Sequence, residues 1–255
     1  MLVRLQYASD LHLDNPANRK FIKGGGLKPE GDSLVLAGDV AELNALENFA
    51  WFWDWCAASY RQTWIVPGNH EFYGCARKWL RRDSFEVVVR DNVRYCSNLV
   101  VHEQGVRFVF STLWSCVTDP VQRVAIQKQV CDYKEIRLGE RAVTVDEINT
   151  LHAEARRFLE EALAEGDSGS TVVATHHVPL LELTPVRYAD SPVRQAFIAD
   201  CGDLVRRFAP AYWIYGHSHV SGGMTVGTSR VLSNQLGTVR PNKRLDFSAA
   251  ALIEL

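Results

Sequence analysis

Five short motifs hold most of the groups in this chain that could bind metal or move protons. They are Asp10-Leu11-His12, Gly38-Asp39, Gly68-Asn69-His70-Glu71, His176-His177 and Gly216-His217-Ser218-His219. Six of the eight histidines fall in them, a concentration that random placement does not favour. Carboxylate, imidazole and amide donors without thiolate suit borderline or hard divalent cations such as Mn, Fe, Zn or Co. Two residues separated by one position just past a strand point the same way. Asp10 and His12 can therefore hold one ion, and His217 and His219 repeat that spacing. A carboxylate has two oxygens, so Asp39, lying between the other groups in chain order, can bridge two cations. Two cations roughly 3.5–4 Å apart neutralise phosphoryl oxygens and bring a shared water towards a pKa of about 7. A leaving alkoxide still needs a proton, and a histidine titrating near neutrality supplies one. His70 fits that role.

These motifs need a scaffold that brings them to one rim. Nearly continuous apolar runs at 3–8, 33–37, 63–67, 171–175 and 211–215 read as buried strands, and each ends at a motif. Asp10 and Asp39 are 29 residues apart and Asp39 and Asn69 are 30, which suits βαβ passages. Residues 43–60 read as a helix with Leu46, Phe49, Ala50, Trp53 and Ala57 on one face. A largely parallel sheet follows, with ligands beyond the carboxyl ends of its strands. Hairpins are expected at 98–103 with 106–112 and at 224–226 with 230–233, and a closing strand at 248–253. Thr144-Val145-Asp146-Glu147 has capping-box form and opens a helix that Gly166 stops.

In this order the five blocks resemble the calcineurin-like metallophosphoesterase superfamily, over nearly the whole chain. The resemblance implies an α/β fold, a four-layer α-β-β-α sandwich of two mixed sheets flanked by helices. It implies that Asp10, His12, Asp39 and His219 ligate one metal and that Asp39, Asn69, His176 and His217 ligate the other. Asp39 bridges the two, and His70 is the outer histidine facing substrate. The implied activity is hydrolysis of a small phosphate ester, monoester or diester, by attack of metal-bound hydroxide. The implied cofactors are two divalent ions per chain, with Mn, Fe or Zn foremost. Residues 7–13, 68–73 and 112–114 look like a bacterial cytosolic subgroup. Asp132-Tyr133-Lys134 resembles that subgroup's Asp-Tyr-Arg segment but replaces its fork of donors by a point charge. Ser233-Asn234-Gln235-Leu236-Gly237 departs from its Asn-Pro-Arg-Gly, so no substrate is carried over.

Size and composition set the remaining bounds. At 255 residues the chain can bury one sizeable core, and it reads as a single domain over 1–255. Residues 115–143 lie outside the motifs and are either a substrate-selecting insertion or a helical decoration. A net charge of −2 argues against a dedicated nucleic-acid or membrane binder. The six cysteines form no Cys-x-x-Cys pair and the N-terminus lacks signal-peptide form, so a cytoplasmic protein with reduced thiols is expected. His176 rather than its neighbour His177 is the expected ligand, and His102 and His152 read as structural. Glu71 either orients a histidine or caps the next helix. Arg77, Lys78, Arg81 and Arg82 read as a solvated face, and Trp51, Trp53 and Trp55 as core. A rival function is a catalytically silent scaffold of the same fold that binds a protein partner, a class that typically loses ligands. Here Asp39, His70 and every other expected position are filled.

Overall fold

Runs that are apolar on both faces become central strands because something covers each face. The computed structural model describes residues 3–80, 82–166, 171–240 and 246–255. The chain starts with β1 (Arg4–Ala8), then α1 (Pro16–Phe21), whose first turn is capped by the Asn15 side chain. Next come β2 (Ser33–Leu36), α2 (Ala50–Ser59) and β3 (Gln62–Ile65). The three strands are parallel neighbours, with Leu36 beside Ala8 and Ile65 beside Leu36. The helix expected over 43–60 is shorter: residues 43–44 turn, Leu46–Phe49 form a 3₁₀ turn, and the α-helix proper starts at Ala50. Val40 and Ala41 give their amides to the Glu71 carboxylate, and Leu43 gives its own to the Glu71 carbonyl.

The chain continues through α3 (Ala76–Trp79) into a hairpin of β4 (Phe85–Arg90) and β5 (Val93–Ser97). This hairpin has no counterpart among the expected strands; its outer strand is half exposed, and its apolar run is only Val87–Val89, between Glu86 and Arg90. β6 (Leu99–Glu103) and β7 (Val106–Ser111) form the expected hairpin. Residues 115–143 hold α4 (Pro120–Gln129), α5 (Asp132–Glu135), β8 (Arg137–Leu138) and β9 (Arg141–Ala142). Then follow α6 (Val145–Ala164), with its capping box in place, β10 (Thr171–Thr175), α7 (Gly202–Phe208) and β11 (Tyr212–Tyr215). A hairpin of β12 (Gly222–Val226) and β13 (Ser229–Ser233) precedes β14 (Leu252–Glu254). The closing strand is shorter than expected because Ser248 is occupied otherwise. Its amide and carbonyl are both held by the Asn234 side chain.

Two six-stranded sheets result, ordered β14-β1-β2-β3-β5-β4 and β12-β13-β11-β10-β7-β6. In each, four parallel strands lie between two antiparallel edge strands. Leu5, Val35, Ala37 and Trp64 of the first sheet pack against Phe108, Phe110, Val172, Ala174 and Ile214 of the second. The outer face of the first sheet, including Leu34, Leu36 and Ile65, is covered by Phe52, Trp53 and Cys56 of α2. The outer face of the second, including Val109, Val173 and Trp213, is covered by Leu159 and Leu163 of α6 and by Leu204 and Val205 of α7. Each fully buried Val, Leu, Ile or Phe among them contributes about 1.5–3 kcal/mol. The result is the expected four-layer sandwich. Trp53 is core, while Trp51 and Trp55 are half-buried against it. Among the described residues no helix is long and apolar enough to cross a membrane.

Candidate metal centre

The two sheets are stitched together at the edge where β1, β2, β10 and β11 end. Ser9 bridges to Gln235 and gives its amide to the Asn234 carbonyl. The Asp10 amide donates to the Gly38 carbonyl, the His12 amide to that of Asp39, and the Gly216 amide to that of His176. Each strand thus hands its next residue to the turn of its neighbour. Asp10, His12, Asp39, His217 and His219 all have positive φ, between 42° and 72°. That region is uncommon for residues with a Cβ and persists where the surroundings over-determine it. The strain turns each side chain from the sheet towards a common point. Gly68 is required for another reason: a Cβ there would run into the Asp39 carboxylate.

The anticipated ligands meet in two groups. Donor atoms of Asp10, His12, Asp39 and His219 lie within 4.8 Å of one another, and so do those of Asp39, His176 and His217. Asp39 belongs to both. Asn69 joins the second group, its Oδ1 lying 3.0 Å from Nε2 of His176. His176 Nδ1 sits 2.8 Å from the Ala37 carbonyl, which fixes the proton there and turns Nε2 inward. His217 is held similarly, by the Ala196 carbonyl at 3.3 Å from Nε2, and its ring lies against those of His177 and Phe197. In the first group His12 Nε2 and His219 Nε2 face each other at 3.0 Å. His219 Nε2 is also 3.4 Å from Asp10 Oδ1, and His12 Nε2 is 3.6 Å from Asp39 Oδ2. Donor atoms this close repel unless a proton or a cation lies between them. The donor set therefore fits two divalent ions.

The electrostatics agree. Burial raises the cost of charge on Asp39, but His176 and His70 outweigh it and hold the carboxyl well below its usual range. Burial would likewise lower His176, yet Asp39 beside it carries the imidazole up to about 10. Burial works against charge on both Asp10 and His219 as well, but each partner prevails, so that Asp10 is lowered and His219 raised. For His12 and His217 burial prevails, bringing them down to about 4 and about 3. Each group thus contains one imidazole that readily holds a proton and one that does not.

His70 stands beside the shared carboxylate. Its amide donates to Asp39 Oδ1 at 3.0 Å, its Nε2 is 3.9 Å from Asp39 Oδ2, and its side chain is 35% exposed. Its ring stacks on Tyr73 with centroids 4.3 Å apart. Glu71 does neither of the two things expected of it. Its buried carboxylate accepts the amides of Asp39, Val40, Ala41 and Gly68, and so ties the turns after β2 and β3 together. Burial, with Asp39 near by, raises it to about 7.

His177 belongs to neither group and packs between Trp114 and His217. His102 is exposed on β6 and His152 pairs through Nδ1 with the Trp114 carbonyl, both away from the centre. Lys78 and Arg82 cover the Trp79 ring, while the side chains of Arg77 and Arg81 lie outside the described residues. Besides the carbonyls and rings already named, three polar side chains outside the five motifs contribute. Gln235 accepts the His219 amide at 2.6 Å, Tyr73 supports His70, and Asp132 touches both Asn69 and Tyr73. The signal for Asp132 was the Asp-Tyr-Lys segment itself.

Comparisons with known proteins place this arrangement. The sequence profile described as calcineurin-like phosphoesterase matches residues 5–221. Uncharacterized protein L509 of Acanthamoeba polyphaga mimivirus is 24% identical, covering 98% of this chain and 96% of that protein. Among solved structures, the phosphopantetheinyl hydrolase PptH of Mycobacterium tuberculosis superposes with a TM-score of 0.65 at 20% identity, covering 91% of this chain and 89% of that one. TT1561 of Thermus thermophilus gives 0.50 at 14% identity, covering 92% and 90%. These two share the fold of two helix-flanked sheets, and the profile match spans all five motifs. This chain belongs to the calcineurin-like phosphoesterase family.

Proposed function

We propose that the chain is a binuclear metal-dependent phosphoesterase that hydrolyses a small phosphate ester, with two divalent cations and without stable nucleic-acid or membrane partners. The observation that carries the reading is the pair of donor groups sharing Asp39, with His70 beside them and open to solvent. Asp10, His12, Asp39 and His219 would hold one cation and Asp39, Asn69, His176 and His217 the other. Such a pair neutralises phosphoryl oxygens and makes water acidic enough to act near neutrality. The chain's own residues do the rest. The Ala37 and Ala196 carbonyls orient His176 and His217, so their inward nitrogens need no rearrangement to bind. His70, anchored through its amide and its stack on Tyr73, holds a proton at a ring nitrogen for the departing oxygen. The filled ligand positions favour this over a silent scaffold. The six cysteines are all unpaired, in keeping with a reducing cytoplasm.

The test starts from chelator-stripped protein, assayed on p-nitrophenyl phosphate and bis-p-nitrophenyl phosphate with Mn, Fe, Zn, Co or Mg added back. Metal-restored turnover is expected, and the ratio of the two rates separates monoesterase from diesterase. Absence of both metal uptake and turnover in the folded protein would sink the proposal.

A further inference from the structure

We propose that Asp132, on the segment 115–143, is a positioning residue that sets which end of the Asn69 amide faces the cation site and holds Tyr73 beneath His70. This rests on the binuclear reading above and assigns a task to a segment that lies outside the five motifs. Its basis is one buried carboxylate at the junction of two site residues. Asp132 Oδ1 accepts a hydrogen bond from Asn69 Nδ2 at 2.7 Å and another from the Tyr73 hydroxyl at 2.7 Å. Asp132 is 8% exposed and Asn69 3%, so water does not replace these bonds freely.

The chemistry of the amide makes the contact consequential. An asparagine side chain is a donor at one end and an acceptor at the other, and a half-turn about its last bond exchanges them. Only the oxygen can ligate a cation. An ionised carboxylate accepts and never donates, so Asp132 binds the NH₂ end and leaves Oδ1 turned to His176 Nε2, 3.0 Å away. Without it, the amide loses the contact that distinguishes its two orientations, and one of them points N–H groups at the cation. The same carboxylate fixes the Tyr73 hydroxyl, whose ring lies 4.3 Å from that of His70 at 29°.

Asp132 is itself held from several sides. Tyr133 and Ile136 next to it are part of the core beneath the first sheet. The Glu135 carbonyl accepts the Gly74 amide, one residue beyond Tyr73. The segment therefore grips the turn after β3 at two points, one a side chain and one the backbone. Its reach is to a ligand and to the support of His70, from behind the site.

The experiment titrates Mn(II) into the metal-free full chain by calorimetry, with electron paramagnetic resonance to detect paired ions. Wild type, Asp132→Ala, Asp132→Asn, Asn69→Asp and the Asn69→Asp/Asp132→Ala double variant are compared. Wild type should take up two ions. Asp132→Ala should weaken one of the two steps by about 10–100-fold, the usual cost of losing a partner behind a ligand, and leave the other step unchanged. Asp132→Asn keeps an acceptor and should recover most of the loss. In Asn69→Asp both ends of the side chain are oxygens, so adding Asp132→Ala should weaken neither step further. Equal weakening of both steps, or the same loss in the Asn69→Asp background, would overturn the proposal. So would a folded Asp132→Ala protein with wild-type affinities. Should Asp132→Ala not fold, Asp132→Asn decides: a partial loss confined to one of the two steps is required, and wild-type affinities at both steps or equal loss at both would overturn the proposal. Failure of the binuclear reading is visible separately, in wild type that binds no ions.

Discussion

The first sheet places Asp10, His12, Asp39, Asn69 and His70 beyond its parallel strands, whereas the second contributes imidazoles from His176, His177, His217 and His219. The two sheets share a plan, four parallel strands between antiparallel edges, but divide the chemistry unequally. Both buried carboxylates of the two donor groups come from the first sheet. One donor group draws three of its residues from that sheet and only His219 from the other. The second draws His176 and His217 from the second sheet and needs Asp39, with Asn69 at its side, from the first. Asp39 is the point where the two contributions meet, so charge as well as packing joins the halves.

Asp39→Asn is the substitution with the largest expected effect. It takes a charge from both donor groups at once, and both Mn(II) binding steps should fall by more than about 100-fold, beyond the usual cost of changing an outer contact. Calorimetry and turnover should fail together. Retention of either step would mean that the halves are less dependent on one carboxylate than their geometry indicates. Next in size is His70→Ala, which removes a proton donor and no ligand. Turnover should drop by about 10²–10⁴-fold with two ions still bound. If metal uptake fell too, His70 would belong with the ligands of the first sheet.

The asymmetry also has a pH signature. His176 is raised to about 10 by Asp39 across the sheet boundary, from an ordinary value of 6.5. In metal-free protein the stabilisation from this raised imidazole is fully present below 6.5 and is lost as pH rises through about 10. A cation must displace the same proton. Uptake at the second group should therefore strengthen by about tenfold per pH unit across that window, with one proton released. Calorimetry in buffers of different ionisation enthalpy counts that proton, and pH-independent uptake would break the cross-sheet pairing.

Much of this arrangement was legible in the sequence because strand ends and ligands coincide. Asp10, Asp39 and Asn69 each follow a continuous apolar run, and the run explains both the strand and the direction in which its end points. The helix at α6 was legible too, since Thr144 and Glu147 form its capping box reciprocally. What the residues alone did not reveal depends on contacts between distant segments. Glu71 reaches back 32 residues to the Asp39 amide, and Asp132 reaches Asn69 across 63. Nor does a histidine signal in advance that its φ will be positive, as at His12, His217 and His219. Those conformations are imposed by neighbouring turns. The β4–β5 hairpin stayed hidden because its outer strand alternates weakly and is half exposed.

Glu71 offers a way to separate scaffold from site within the first sheet. It binds four amides of two ligand-bearing turns and touches no donor of the second sheet directly. Hydrogen bonds to a buried charge contribute about 1.5–3 kcal/mol each but do not add simply. Glu71→Ala should cost about 3 kcal/mol in denaturant unfolding and weaken both metal steps through Asp39. A variant that lost stability and kept both affinities would show that the turns hold their shape without the carboxylate.

The smallest effect is expected at Thr144, which caps α6 on the outer face of the second sheet. Its hydroxyl accepts the Glu147 amide, and the Glu147 carboxylate in turn accepts the Thr144 amide. Thr144→Ala should lower stability by about 1 kcal/mol in denaturant unfolding. Metal uptake and turnover should stay at wild-type levels, because the exposed cap touches no ligand turn, and α6 reaches the site further along, through the packed sheet and through His152 on the Trp114 carbonyl. That sheet is anchored by Leu159 and Leu163, well along the helix from its cap. A loss of metal affinity larger than the loss of stability would mean that the imidazole-bearing sheet shifts with its helix layer. The second sheet's ligands would then be placed by the layer outside it, and the first sheet's by the carboxylate of Glu71 within its own turns.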